Sequence, residues 1–243
     1  MTGTAIRIPK DTGALLFDLD GTLVDSMWVW SDIDRDYLAA HGIQTDENIQ
    51  QLIGGISMRQ TAVLLKDHFG IEDPIEKMMD DWNQMAMDRY LHEVSVKEGG
   101  RDLLAWARKK GLRTAIATSN SRALCEAALA GCSLLHAFDA VVTGDEIQNG
   151  KPAPDIYLHT AEKVGVPPQH CLVFEDLVDG ILAAKAAGCR VIAVLDAVTE
   201  EDNEKKIRLA DGAVSDFTEL DLTERRQKRE PLDILRGRGR STF

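Results

Sequence analysis

Short apolar runs alternate with amphipathic stretches of helical period along most of this chain, which is the pattern of a parallel sheet with helical crossovers. The runs Ala14 to Phe17, Leu112 to Ala117, Ala140 to Val142, Cys171 to Phe174 and Arg190 to Val194, with a short Gly212 to Val214, are expected to be strands. One intervening helix is predicted from about Gly100 to Lys110, with Leu103, Leu104 and Ala107 on one face and Gly111 as its stop. Another starts at Pro154, a residue suited to the first helical position, and ends near Gly165, and a third runs from about Val178 to Gly188. The rhythm breaks between Ser26 and about Val94, where no convincing strand occurs and helical segments are punctuated by Gly42, Gly54-Gly55, Gly70 and Pro74. The expected fold class is α/β, with a helical insertion between the first strand and the rest of the sheet.

Composition adds little to this picture, and charge adds more. The 243 residues, 44% hydrophobic and 28% charged, are ordinary globular material, enough for one large domain or a core with a modest second unit. A net charge of -12 gives no general attraction for nucleic acid or an anionic membrane, so neither is an expected partner. The acidity is uneven: residues 224–243 carry seven Lys and Arg against three Asp and Glu, and this basic tail, with little periodicity, is expected to be a loosely docked end. Cys125, Cys132, Cys171 and Cys189 form no Cys-x-x-Cys pair and are expected to be reduced core thiols. No stretch resembles a signal peptide or approaches a membrane span, so a cytoplasmic location is expected, and a monomer.

Candidate chemistry gathers at the C-terminal ends of the expected strands, where open parallel sheets bind ligands. The first strand runs into Asp18-Leu19-Asp20-Gly21-Thr22. Residues two apart on a strand share a side, so Asp18 and Asp20 can present two carboxylates together, which is costly unless a cation lies between them or one is protonated. The plain alternative is a strand ending in a solvated Asp-Gly turn. After the second strand, Thr118-Ser119-Asn120 offers a hydroxyl and an amide at the mouth of a helix, where free N–H groups suit a phosphate, although Ser119 or Ser121 can equally be a helix cap. After the third, Lys151 sits in Lys151-Pro152-Ala153-Pro154-Asp155, a stiff loop that could hold an ammonium against a phosphoryl group. After the fourth, Glu175 and Asp176 would complete a hard oxygen-ligand site for a divalent cation such as Mg2+.

Taken in order, these four stretches resemble the haloacid dehalogenase superfamily of phosphate-transferring enzymes, over roughly Ala14 to Asp196. The resemblance implies a Rossmann-like core formed by residues 1–25 and 95–243 and an inserted helical cap formed by residues 26–94. It implies that Asp18 is the nucleophile that forms an aspartyl-phosphate and Asp20 the general acid and base. Thr22, Ser119, Asn120 and Lys151 would hold the phosphoryl oxygens. Mg2+ would be held by Asp18, the backbone carbonyl of Asp20 and Asp176, with Glu175 near by. Asp155 and Asp179 are expected to be structural.

The Glu-Asp form of the fourth motif is similar to the branch that holds sugar-phosphate phosphatases and beta-phosphoglucomutases, although Leu177 stands where that branch usually has Ser. The implied activity is Mg2+-dependent hydrolysis of a small phosphomonoester, a sugar or polyol phosphate. The main alternative is a beta-phosphoglucomutase. That pattern usually carries a histidine where this chain has Trp30, and an arginine soon after the cap-loop glycine where this chain reads Gly54-Gly55-Ile56-Ser57-Met58-Arg59, and both departures favour the phosphatase. A catalytically silent binding protein on the same fold is the third possibility. Trp28, Trp30, Met58, Arg59 and Arg89 are candidate substrate readers, although such tryptophans, Trp82 included, are more often insertion-core aromatics and Arg89 more often a solvated helix charge.

Overall fold

The structure, a computed structural model, describes residues 6–45, 49–53, 58–196 and 200–223. The basic tail from 224 and the Gly54-Gly55-Ile56-Ser57 loop lie outside the described residues.

The chain opens with β1 (Ala14–Phe17), leaves the sheet through a tight turn into β2 (Val24–Asp25), and continues into four helices: α1 (Met27–Ala40), α2 (Ile49–Ile53), α3 (Met58–Phe69) and α4 (Ile75–His92). It returns through β3 (Ser95–Val96) and then alternates: α5 (Gly100–Lys110), β4 (Arg113–Thr118), α6 (Arg122–Gly131), β5 (Ala140–Thr143), α7 (Asp155–Val164), β6 (Cys171–Glu175), α8 (Val178–Ala186), β7 (Arg190–Val194), α9 (Asn203–Leu209) and β8 (Gly212–Val214). Six strands form one parallel sheet in the order β5-β4-β1-β6-β7-β8, an α/β Rossmann-like arrangement. No helix of the described residues is long and apolar enough to cross a membrane.

All six expected sheet strands are present, with ends shifted by one residue at most. The hairpin of β2 and β3 was not expected: two residues are too short to show a period, and it forms because Val24 and Asp25 meet Val96 and Ser95 antiparallel where the chain enters and leaves the helical insertion. Pro154 precedes α7 rather than opening it, while Gly111 and Gly165 end α5 and α7 in the left-handed conformation that glycine adopts at least cost. Arg108, Lys109 and Lys110 in the last turn of α5 face the negative end of its dipole.

Alternation along the strands divides the core. Leu15, Phe17, Ile116, Leu172, Phe174 and Ile192 point to one face, where Phe17 stacks on Phe174 at 5.1 Å between ring centroids and Phe217 meets both edge-on. Ala14, Leu16, Ala115, Ala117, Val173 and Val191 point to the other and pack with Ile156, Tyr157, Ile181 and Ala184 of α7 and α8. The first face continues without a break into Val29, Ile33, Leu65, Met78, Trp82 and Tyr90 of the insertion. Trp82 is therefore an insertion-core aromatic. All four cysteines are buried and free.

Candidate active site

The sheet order explains the position of the site. β1 is central, flanked by β4 and β6, so the residues that follow all three strands converge at one end of the sheet. Asp18 is still on the ladder, donating its backbone N–H to Phe174 O at 3.0 Å, and the chain then turns sharply, with Leu23 and Val24 N–H both donating to Leu19 O. Gly21 makes that turn possible with φ of 73°, and a Cβ there would overlap the Asp176 carboxylate.

Asp18, Glu175 and Asp176 are all buried, and one carboxylate oxygen from each lies within 4.8 Å of the others. Lys151 reaches into this group, its Nζ donating to Asp18 Oδ1 at 2.6 Å and to Glu175 Oε1, with its side chain only 8% exposed. It is not the solvated loop lysine that most lysines are. The peptide bond to Pro152 is cis. Tyr157, from α7, donates its hydroxyl to Glu175 Oε1 at 2.9 Å, and its ring centroid lies 5.3 Å from the Lys151 ammonium. Glu175 Oε2 accepts the Leu177 N–H at 2.9 Å, so the backbone supplies a hydrogen bond beside Glu175 although residue 177 has no hydroxyl. Leu177 itself points to solvent.

Two of the three buried carboxylates thus share the Lys151 ammonium, and the third, Asp176, also feels the positive charge of Lys206. Burial raises the Asp18 carboxyl well above the usual range; Lys151 pulls it back, but Glu175, Asp176 and Asp20 push the same way as burial. Burial also lifts Asp176 to about 7, with help from Glu175. Burial works against the charge of Lys151, but Asp18 and Glu175 outweigh it and hold its pKa well above the ordinary value. Asp176 Oδ1 accepts the Thr22 hydroxyl at 2.9 Å, while Asp176 Oδ2 is buried with no hydrogen-bond partner. An orphaned carboxylate oxygen in a pocket of three buried acidic side chains is the environment a divalent, oxygen-seeking cation fits.

Asp20 stands apart from this cluster. Its Oδ1 accepts the Ser26 hydroxyl at 2.7 Å and the Tyr90 hydroxyl, and its Oδ2 accepts Asn120 Nδ2 at 3.1 Å. Asn120 is held in turn, its Oδ1 accepting Ser121 N–H at 2.8 Å and its backbone N–H donating to Thr118 Oγ1 at 3.0 Å. Ser121 is the cap of α6, accepting Leu124 N–H, so the cap is Ser121 and Ser119 stands exposed beside the site. A Cβ at Gly144 would overlap the Ser119 carbonyl, which is how β5 closes against this loop.

The eight residues expected at the site, Asp18, Asp20, Thr22, Ser119, Asn120, Lys151, Glu175 and Asp176, therefore all lie at one end of the sheet, with Thr22 engaged on Asp176. Sequence reasoning missed Ser26, Tyr90 and Tyr157. Ser26 adjoins the first motif and Tyr157 lies one turn into the helix after the lysine loop, so proximity was a usable signal for both; Tyr90, seventy positions from Asp20, left none. Asp155 accepts Asn149 Nδ2 at the surface, which fits a structural role. Among the candidate substrate readers, Arg89 is paired with Asp36, Arg59 with Glu76 at 2.9 Å, and the Trp28 indole donates to Asp25 O.

Gly180, in α8, is pressed against the Glu175 carboxylate so closely that a Cβ would overlap it. Gly180→Ala is expected to displace Glu175 and with it Lys151. Overpacking of this kind costs about 1–3 kcal/mol, or roughly 2–12 °C in Tm for a chain of this size. Thermal unfolding checks the loss, and turnover should fall with it.

A family model of haloacid dehalogenase-like hydrolases matches residues 15–194, and the chain belongs to that family. It is similar to a phosphorylated carbohydrates phosphatase of Thermotoga maritima, 30% identical over 203 residues, covering 83% of this chain and 92% of that one. Hexitol phosphatase B of Escherichia coli is 30% identical over 230 residues, covering 87% and 96%. The crystal structure of CbbY from Rhodobacter sphaeroides in complex with phosphate superposes with a TM-score of 0.72 at 27% identity, covering 85% of this chain and 95% of that one. The resemblance carried by the four motifs is borne out.

Proposed function

We propose that this protein is a Mg2+-dependent phosphatase that hydrolyses a small phosphomonoester, a sugar or polyol phosphate, through an aspartyl-phosphate on Asp18. Phosphoric monoester hydrolysis follows the family and the phosphatases among its relatives. The observation that carries the mechanism is the separation of the two aspartates of the first motif into different environments: Asp18 inside the acidic, lysine-bridged cluster, and Asp20 outside it among hydroxyl and amide donors. Two carboxyl groups in unlike surroundings can take unlike roles.

In the first step an Asp18 carboxylate oxygen attacks phosphorus while Asp20 gives its proton to the departing sugar oxygen. In the second, Asp20 takes a proton from water, which attacks phosphorus, releases inorganic phosphate and restores the Asp18 carboxylate. Lys151, already bonded to Asp18, lowers the repulsion between that carboxylate and the incoming phosphoryl group. Ser119 and Asn120 hold phosphoryl oxygens in this reading, at the mouth of α6. Thr22 holds Asp176, and Glu175 holds Lys151. The metal would be held by Asp18, the Asp20 carbonyl and Asp176, with Glu175 the third carboxylate of the cluster. When bound, Mg2+ supplies positive charge that offsets the phosphoryl oxygens and the Asp18 carboxylate during transfer. In this reading residues 26–94 serve as a cap over this end of the sheet, joined to the core, residues 1–25 and 95–243, through the β2–β3 hairpin.

A turnover panel of sugar and polyol phosphates tests this function. It includes beta-glucose 1-phosphate with a bisphosphate primer, and inorganic phosphate is measured. Release of phosphate with Mg2+ present and its loss on chelation are expected. Isomerisation of the glucose phosphate without phosphate release would establish a mutase instead. No turnover of any ester would leave a silent binding protein.

Metal binding has its own readout. Mg2+ at 100 times its dissociation constant should stabilise the protein by about 2.7 kcal/mol, a rise in Tm of roughly 5–10 °C. Asp176→Asn should abolish most of that rise.

A further inference from the structure

Tyr90 ends the buried face of α4, 0% exposed, and its hydroxyl is bonded to the Asp20 carboxylate seventy residues away. Nothing about a core aromatic requires that bond. The ring alone would fill its place among Trp82, Ala86 and the other insertion residues. The phenol instead lies in a small polar cluster inside an apolar wall: it donates to Asp20 Oδ1, it accepts from Asn120 Nδ2 at 3.3 Å, and Ser26 and the Trp30 indole face it.

The backbone is built to deliver it there. Gly131, the last residue of α6, lies so close to α4 that a Cβ would overlap the Leu91 carbonyl and crowd the Tyr90 carbonyl. Just beyond, Cys132 donates its thiol to Val94 O at 3.5 Å and Arg101 Nη2 donates to Cys132 O at 2.6 Å. The C-terminal end of α4 is therefore fixed to a core helix, and Tyr90 is a point of the insertion whose position the core determines.

We propose that Tyr90 is a positioning residue for Asp20: with Ser26 it saturates Oδ1, leaving Oδ2, which accepts only the Asn120 amide among the described residues, as the oxygen that carries the transferable proton. Two hydroxyl donors on one oxygen make that oxygen a poor site for a proton and hold the carboxyl plane in one orientation. The phenol is the donor in its bond to Oδ1, and Asn120 Nδ2 supplies the phenol oxygen with a hydrogen bond at 3.3 Å. During transfer Oδ2–H gives its proton to the leaving oxygen and Oδ2 later accepts one from water, while the Tyr90 proton stays on the phenol throughout. The proposal rests on the assignment of Asp20 as the acid and base.

A leaving-group comparison with Tyr90→Phe tests it, because that change removes one oxygen and keeps the ring. The values compared are kcat/KM for p-nitrophenyl phosphate, whose phenolate departs without a proton, and for whichever of glucose 6-phosphate, fructose 1-phosphate and sorbitol 6-phosphate the wild type turns over fastest. This ratio reports the steps up to aspartyl-phosphate formation, where only the sugar alkoxide needs an acid. The loss in Tyr90→Phe is expected to be at least about tenfold larger for the sugar phosphate than for the aryl ester, and adding Tyr90→Phe to Asp20→Asn is expected to add little further loss. Equal losses on both esters, or an added loss in the double variant as large as in the single one, would overturn the positioning role and leave Tyr90 as packing. A different outcome marks failure of the underlying assignment: Asp20→Asn itself would then show no preference between the two esters. Should Tyr90→Phe fold poorly, Tyr90→His, which keeps a ring donor, replaces it and should recover part of the sugar-phosphate rate.

Discussion

Asp18→Asn is expected to lose turnover by a factor on the order of 10^3 or more while remaining folded. The amide keeps the size of the side chain, but it is a poor nucleophile and carries no charge for a metal. No other buried group can take over. Glu175 has both oxygens committed, to Lys151 and Tyr157 on one side and to the Leu177 N–H on the other, and Asp176, whose Oδ1 is tied by Thr22, lacks the ammonium that Lys151 holds on Asp18. The variant also removes one of three crowded acidic groups, and burial holds the carboxyl groups of Asp18 and Asp176 above their usual range, so its Tm in the absence of metal should equal or exceed that of the wild type. Activity lost with Tm kept or raised separates a chemical role for Asp18 from a structural one, and a fall in Tm accompanying partial activity would argue for structure alone.

Lys151→Met is expected to do the reverse and damage both stability and rate. It removes the ammonium from between Asp18 and Glu175 and leaves those two buried carboxylates without their bonded cation. Removing one partner of a buried ion pair costs about 3–5 kcal/mol, on the order of 10 °C in Tm for a chain of this length. The loss depends on metal: Mg2+ compensates the same charges, so it should raise the Tm of the variant more than that of the wild type. Turnover should not return with Mg2+, because the contact that eases phosphoryl approach to Asp18 is gone. Differential scanning calorimetry with and without Mg2+ checks the first point, and phosphate release checks the second. A Tm equal to that of the wild type without metal would show that the carboxylates relieve their repulsion by taking up protons and that Lys151 is not their counter-ion.

Much of this site was legible because parallel strands place chemistry at their ends. Apolar runs ending in Asp18, Thr118, Thr143 and Glu175 mark where β1, β4, β5 and β6 stop, and the register of the sheet brings those ends together. Lys151 was legible from its proline flanks, and its burial agrees with the stiffness they suggested. What stayed hidden belongs to contacts that no local pattern encodes. The β2–β3 pair spans two residues on each side and exists only because the insertion begins and ends there. The bond from Thr22 to Asp176 left no sequence signal; it forms because Gly21 has no side chain to keep that carboxylate away. Tyr90 reads as one apolar position of an amphipathic helix, and only the tight crossing of α4 over Gly131 shows that its hydroxyl arrives at Asp20. Sequence periodicity reports which face of an element is buried; what a buried polar atom touches is decided by packing between elements distant in the chain.

Chemical trapping of the intermediate tests the central claim most directly. Enzyme quenched during steady-state hydrolysis is treated with borohydride, which reduces an acyl phosphate to an alcohol, and the peptides are then mapped by mass spectrometry. The expected result is conversion of Asp18 to homoserine, dependent on substrate, with Asp20, Glu175 and Asp176 unmodified. Rapid phosphate release with position 18 still aspartate, or reduction at any other carboxylate, would contradict the account.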